Sequence, residues 1–140
     1  MGQIVIVYYS ETGNTEAMAN MVAKGVEAAG ATAKVVSVDG FDAAELKEEA
    51  AFALGCPAMG DEVLEEGTME PFVEEVAKFA AGKKIGLFGS YGWGDGEWMR
   101  TWEESCKNDG AELVCDSVIC QEEPDDEATD ACKALGAALV

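Results

Sequence analysis

Residues 10–15 carry the side chains that could bind a phosphate group. They provide hydroxyls, one amide side chain and a glycine that lets a ligand approach the backbone, and they lead directly into a predicted helix. Backbone amides at a helix N-terminus favour anions. The segment has no lysine or arginine, so it suits a phosphomonoester better than a nucleoside triphosphate, which needs the lysine and Mg²⁺ of a P-loop. A helix cap and turn without a ligand is the alternative interpretation.

Two further loops could bind a planar group. In residues 56–62, Met59 offers a polarizable side chain that can lie against a ring, and Gly60 offers a peptide free to reorient. In residues 90–96, Trp93 stands among three glycines, where neither helix nor strand packing explains it. Each loop alone could be a turn whose Met or Trp packs into the core. Together with residues 10–15, they predict a site for a planar phosphorylated cofactor.

The elements that must position these loops are strands alternating with helices. Apolar runs predict strands, and apolar residues at helical spacing predict helices between them. The predicted strands are 3–9, 32–38, 50–55, 84–89 and 112–119, with helices near 18–29, after Asp42, at 69–81 capped by Thr68, at 96–107 and from 125 onward. This alternation predicts an α/β fold with a doubly wound, five-stranded parallel sheet, strand 3–9 at its centre, as a single domain over 1–140. Ligands of such sheets bind at the carboxyl ends of the strands.

The composition excludes several functions. Lys and Arg number 9 and Asp and Glu 28, which gives a net charge of −19, and there is no His. Such a field repels nucleic acid and anionic membranes, and the lack of His excludes His-based triads and His-ligated zinc. The five cysteines have no metal-binding or C-x-x-C spacing, so we expect free thiols, no metal site and a cytoplasmic location. With no leader-like or long apolar segment, we also expect no signal peptide and no membrane span.

The three loops in register resemble those of short-chain flavodoxins of the clostridial type. The resemblance rests on residues 10–15 after the first strand, 59–62 after the third and 90–96 after the fourth, and it runs the length of the chain without a long insertion in the fifth strand. It implies the strand order 2-1-3-4-5 and one non-covalently bound FMN. It also implies a low-potential one-electron carrier, not an enzyme, that shuttles between semiquinone and hydroquinone.

The resemblance assigns one group of residues to the FMN phosphate. The side chains and amides that would hold it belong to Ser10, Glu11, Thr12, Gly13, Asn14 and Thr15. Pro57 stands where some relatives have a serine that contacts the phosphate, so one hydrogen bond of this group is in doubt. The remaining cofactor-binding residues of the three loops and of the fifth strand are Ala58, Ser90, Tyr91, Gly94 and Gln121, with Glu122 beside the last.

A second group is assigned to the isoalloxazine ring. Met59 and Trp93 would cover its two faces, and Glu62 would accept a hydrogen bond from N3–H. The amide of Asp61 would meet N5 or O4, and the amide of Gly92 would meet O2. Gly60 would turn its carbonyl toward the N5–H of the reduced flavin. Redox tuning is therefore expected from Met59, Gly60, Asp61 and Trp93.

The acidic residues suggest how the carrier meets its partners. Residues 61–70 and 116–130 contain acids and no base, so they should lower the potential of the second reduction and present a negative face. The resemblance implies partners that are redox enzymes which also use ferredoxin and dock through a basic patch. Self-repulsion favours a monomer. An FMN-dependent reductase on the same fold, or a module dedicated to one enzyme, stays open as an alternative.

Overall fold

The computed structural model describes residues 3–9, 13–58, 67–92, 96–122 and 124–140. Strands and helices alternate along this chain, as the sequence predicts. The strands are β1 Gln3–Tyr8, β2 Thr32–Ser37, β3 Ala51–Gly55, β4 Lys84–Tyr91, β5 Glu112–Leu113 and β6 Val118–Gln121. The α-helices are α1 Asn14–Ala28, α2 Met69–Ala77, α3 Glu97–Asn108 and α4 Asp126–Ala138, and a 3₁₀ helix covers Ala43–Glu48.

The strands form one parallel sheet in the order β2-β1-β3-β4-β5, and β6 also pairs with β4. This confirms the predicted α/β class and the order 2-1-3-4-5. The prediction that strand 3–9 is central was wrong in detail, because β3 has the middle position and all five of its residues are buried. The apolar run of β1 reflects an interior strand between β2 and β3, since any interior strand of a doubly wound sheet is covered on both faces.

Side chains of the strands alternate between two apolar cores, one on each face of the sheet. Val5 and Val7 of β1 pack into the core that contains Trp98 and Trp102 of α3. Ile4 and Ile6, together with the buried faces of α1 and α4, belong to the core on the other side. Because successive residues of a strand point to opposite faces, one short apolar run supplies both cores.

The fifth strand differs from its prediction. Residues 112–119 were predicted to form one strand, but the structure has two short strands separated by residues 114–117. Glu103 of α3 accepts hydrogen bonds from the Ser117 hydroxyl at 2.6 Å and from the Ser117 amide at 3.3 Å. The Ser117 amide is therefore bonded to a helix side chain, and the ladder resumes only at Val118, which pairs with Phe88.

Two other boundaries also moved. The predicted strand 84–89 extends to Tyr91, because Ser90 and Tyr91 pair with Cys120 and Gln121 of β6. The predicted helix 69–81 ends at Ala77, where the next amides bond to carbonyls three residues back, as in Phe79 to Val76 at 3.0 Å. Thr68 has the N-cap position but does not cap through its side chain. The first change matters for function because it places Ser90 and Tyr91 in a strand.

Candidate functional site

The segment predicted to bind phosphate meets the end of β4. Gly13 is the N-cap of α1 with φ 92°, a left-handed conformation that favours glycine. Thr15, in the first turn of α1, is 1% exposed, and its hydroxyl shares a hydrogen bond of 3.1 Å with that of Ser90, which is 4% exposed. The fold therefore places a helix N-terminus and two buried hydroxyls at the carboxyl edge of the sheet, which is where the sequence predicts a ligand.

The loops after β3 and β4 also converge at this edge. The Ala58 amide donates to the Ser90 carbonyl at 2.9 Å, which ties the residues that follow Pro57 to β4. Gln121 at the end of β6 donates through its Nε2 to the Gly92 carbonyl at 3.3 Å. The structure thus brings together the described members of the predicted set, which are Gly13, Asn14, Thr15, Pro57, Ala58, Ser90, Tyr91, Gly92 and Gln121.

The other predicted site residues lie outside the described residues. They are Ser10, Glu11, Thr12, Met59, Gly60, Asp61, Glu62, Trp93 and Gly94. Their assigned contacts with the phosphate and the ring stay predictions.

The described part of the edge fits a flavin phosphate. A Cβ built on Gly13 or on Gly92 would meet no atom of the described residues within 4 Å. Gly13 is the N-cap of α1, and the first backbone amides of a helix suit an anionic oxygen. Next to Tyr91 and Gln121, a cavity of about 690 Å³ runs along β6, and its acidic lining residues are Asp116, Asp125 and Glu127.

Two contacts at this edge were not predicted from the sequence. The Tyr8 hydroxyl donates to Glu16 at 2.9 Å, and burial, followed by this hydrogen bond and the Glu16 charge, raises the pKa of Tyr8. The indole of Trp98 donates to the Cys56 carbonyl at 3.1 Å, 42 residues away in sequence. The only local signal for Trp98 is the apolar spacing of α3, which predicts burial and says nothing about a hydrogen bond.

Most of the cysteines lie in the apolar interior of the fold. All five are unpaired in the structure, four are buried, and Cys115 is exposed. Burial first, then nearby acids, raises the pKa of Cys106 to about 12; burial first, then Cys120, does the same for Cys132. Among the described residues, no cluster of three or more His, Cys, Asp and Glu could hold a metal ion. In the same part of the chain, no helix is long and apolar enough to cross a membrane.

The fold is that of a doubly wound α/β protein, and the predicted site lies at the carboxyl edge of its sheet. The family model described as Flavodoxin matches residues 6–136. The flavodoxin of Clostridium beijerinckii is 50% identical over 125 residues, which is 89% of this chain and 91% of that protein. The flavodoxin of Megasphaera elsdenii is 44% identical over 135 residues, 96% of each chain. The solution structure of the two-electron reduced M. elsdenii flavodoxin superimposes with a TM-score of 0.89 and covers 99% of this chain and 98% of that one.

The chain belongs to the flavodoxin family. The two flavodoxins named above are electron-transfer proteins rather than enzymes, and the cofactor of the family is FMN. The protein is therefore an FMN-binding electron carrier that works with redox partners.

Proposed function

We propose that residues 1–140 form one domain that binds FMN at the carboxyl edge of the sheet and carries single electrons at low potential. The observation that supports this most directly is the buried hydrogen bond of 3.1 Å between Thr15 and Ser90. It joins the segment predicted to hold the phosphate to the strand end predicted to hold the ring. When bound, FMN supplies the redox chemistry by taking up or releasing one electron at a time.

The chain's own residues hold and orient the cofactor in this proposal. Residues 10–15 bind the phosphate through the amides of the α1 N-terminus and through hydroxyls, including that of Thr15. Met59 and Trp93 flank the ring, while Glu62 and the amides of Asp61 and Gly92 bond to its polar edge. A Cβ on Gly92 would contact no atom of the described part of the chain within 4 Å, which supports room for a ligand at this place. Gly60 supplies the peptide that reorients when the ring gains a proton.

The acidic residues set the potential and the choice of partner. Residues 116–130 contain seven acids and no base, and they include Asp116, Asp125 and Glu127 of the cavity along β6. Adding an electron to a site near these charges is unfavourable, so they lower the potential of the second one-electron step. The same charges attract a basic patch on a redox enzyme that also uses ferredoxin. The net charge of −19 supports a monomer, and the five free thiols support a cytoplasmic location.

The experiment compares two sets of charge-neutralising substitutions. The first, at the carboxyl edge, is Glu122→Gln, Asp125→Asn and Glu127→Gln. Asn at position 125 can still cap α4, as Asp125 does through its bond to the Ala128 amide at 2.8 Å. The control set, near the amino ends of the strands, is Glu49→Gln, Asp109→Asn and Glu112→Gln. Both sets change the net charge by the same amount.

We expect the edge set to raise the potential of the second step by roughly 10 mV per charge, and the control set to raise it less. The edge set should also reduce the salt dependence of electron transfer to a basic partner enzyme. Equal effects of the two sets would contradict the electrostatic proposal. Failure of the chain to bind FMN would contradict the site. Turnover of NAD(P)H by the chain alone would favour a reductase.

A further inference from the structure

Trp98 contacts the chain where β3 turns into its loop. Its side chain is 1% exposed, and the indole Nε1–H donates to the Cys56 carbonyl at 3.1 Å. Cys56 directly follows β3, and its amide still donates to the Phe88 carbonyl of β4 at 3.1 Å. The backbone of Cys56 is thus held by the sheet through its N–H and by the indole through its carbonyl. The whole residue is buried, so water does not readily replace the indole as donor.

The same indole contacts the end of β4. The rings of Trp98 and Tyr91 have centroids 5.6 Å apart and planes inclined by 51°, within the range of favourable aromatic pairs. A Cβ built on Gly89 would lie 3.1 Å from Cζ2 of Trp98, which shows how closely the indole lies against this strand. One buried side chain therefore touches the starts of both loops that are predicted to hold the flavin ring.

We propose that Trp98 is a positioning residue that sets the separation of these two loops, and through it the fit of the flavin ring. The proposal rests on the proposed FMN site. The described parts of the loops end at Ala58 and Gly92, and the next residues in the chain are Met59 and Trp93. Because the chain is continuous, a shift of either loop start is passed on to the residue that follows it.

The fit of a flat ring between two side chains is sensitive to small changes. A radial gap of about 0.5–1 Å already removes a quarter to a half of the dispersion attraction between contacting atoms. Trp98 does not touch the ring in this proposal. It acts through the Cys56 carbonyl and the Tyr91 ring, and a phenylalanine at position 98 would keep an aromatic ring but lose the N–H donor.

Trp102 provides a matched control. It lies one turn further along α3, is 2% exposed and belongs to the same apolar core as Trp98. Its Nε1–H has no hydrogen-bond acceptor among the residues that the structure describes. Trp98→Phe and Trp102→Phe remove the same atoms from two buried sites on one helix, but only the first removes a bond to a loop of the site.

The test measures both variants in the full chain. We expect Trp98→Phe to raise the dissociation constant for FMN about tenfold over that of Trp102→Phe, which is the scale of one buried hydrogen bond. It should also shift at least one of the two one-electron potentials, which the control leaves unchanged. In the apoprotein, the Ala58 amide, bonded to the Ser90 carbonyl, should exchange its hydrogen faster in Trp98→Phe than in Trp102→Phe.

Equal FMN affinities and potentials in the two variants would overturn the proposal, as would unchanged Ala58 exchange in Trp98→Phe. The stability of each apoprotein toward urea is measured alongside. If both variants lose FMN affinity in step with their loss of stability, and to the same extent, Trp98 has only a structural role. That result would count against positioning. If the wild-type chain binds no FMN, the proposed site fails. Faster Ala58 exchange would in that case still support Trp98 as the anchor of the loop.

Discussion

The hydrogen bond between Thr15 and Ser90 allows a direct test of how the site is held together. We consider Thr15→Val, Ser90→Ala and the double substitution. Both side chains are buried, at 1% and 4% exposure, and their hydroxyl oxygens are 3.1 Å apart. Ser90→Ala removes one oxygen atom, whereas Thr15→Val replaces the hydroxyl with a slightly larger methyl group, so its cost includes the lost hydroxyl and a small packing change.

The expected magnitudes follow from which hydroxyl is left without a partner. Either single substitution leaves the other hydroxyl buried and unpaired, which costs about 1–3 kcal/mol. The double substitution removes both groups, so its cost should be close to that of one single substitution. The coupling energy of the cycle should therefore equal the cost of about one single substitution, about 1–3 kcal/mol in magnitude. Tyr8→Phe, which removes an exposed hydrogen bond to Glu16, serves as a control and should cost less than about 1 kcal/mol.

The assay is urea unfolding of the four proteins with and without FMN. Unfolding of the apoprotein gives the coupling energy of the hydroxyl pair alone. At a fixed concentration, FMN adds stability that grows with the logarithm of its affinity for the folded state, so the extra loss in the holoprotein reports each side chain's part in binding. Because Thr15 belongs to the predicted phosphate group, Thr15→Val should lose more of this added stability than Ser90→Ala.

Additive costs in the apoprotein, with a coupling energy below about 0.3 kcal/mol, would refute the reasoning, because neighbours that share a bond are not independent. Equal losses of FMN stabilisation would refute the assignment of Thr15 to the phosphate while leaving the hydroxyl pair intact. A change in the slope of the free energy of unfolding against urea concentration would indicate an altered denatured state. It would be corrected for before the coupling energy is calculated.

Two further predictions concern the scaffold. A Cβ on Gly25 of α1 would collide with the Lys133 carbonyl of α4, so Gly25→Ala should destabilise the protein by about 1–3 kcal/mol in urea unfolding. The control is Asn20→Ala, at an exposed position of the same helix, which should not destabilise it. Equal stabilities of the two variants would contradict the close contact between α1 and α4. Burial raises the pKa of Cys106 and of Cys132 to about 12 in the fold, from an ordinary value of 9.0. Between these values the thiols ionise only in the unfolded chain, which favours unfolding. Their contribution to stability is therefore complete below pH 9 and is lost as the pH rises toward 12. Urea midpoints should fall above pH 9, and less steeply for Cys132→Ala; an unchanged slope in that variant would contradict the assignment.

Local sequence patterns predicted most of the elements. The apolar run of β1 and the spacing of Met18, Val22 and Val26 in α1 each specify one element by themselves, and these residues are buried as predicted. Gly30, predicted to follow the first helix, has φ 99° there. Where prediction failed, a contact from a distant element decided the outcome. Glu103 bonds the Ser117 amide and interrupts the fifth strand, and no feature of residues 112–119 reveals that.

In the candidate site too, the sequence predicted which residues take part but not the contacts that hold them. Residues 13–15 and 90–92 were predicted from their types and from the rule that ligands bind at the carboxyl edge of parallel strands. The contacts that hold them could not be predicted, because they join residues far apart in sequence. The bond between Thr15 and Ser90 spans 75 residues, and that between Trp98 and Cys56 spans 42. Each partner has an equally good local explanation as a core or capping residue, so only the assembled sheet shows the pair.

Residues 10–15, which are predicted to bind phosphate, contain no lysine or arginine, and the chain as a whole is acidic. Both features leave negative charge near the proposed cofactor uncompensated. A phosphate held by hydroxyls and helix amides keeps its negative charge uncompensated, unlike one paired with a lysine. Within the first turn of α1, the described charged side chain is Glu16, which bonds to Tyr8, so this turn adds a further negative charge. In the function proposed above, electrons added to the cofactor would enter a field that opposes them, and the same field would attract a basic partner. In that proposal low potential and partner attraction depend on one property, so a substitution that introduces a lysine at this edge should weaken both together.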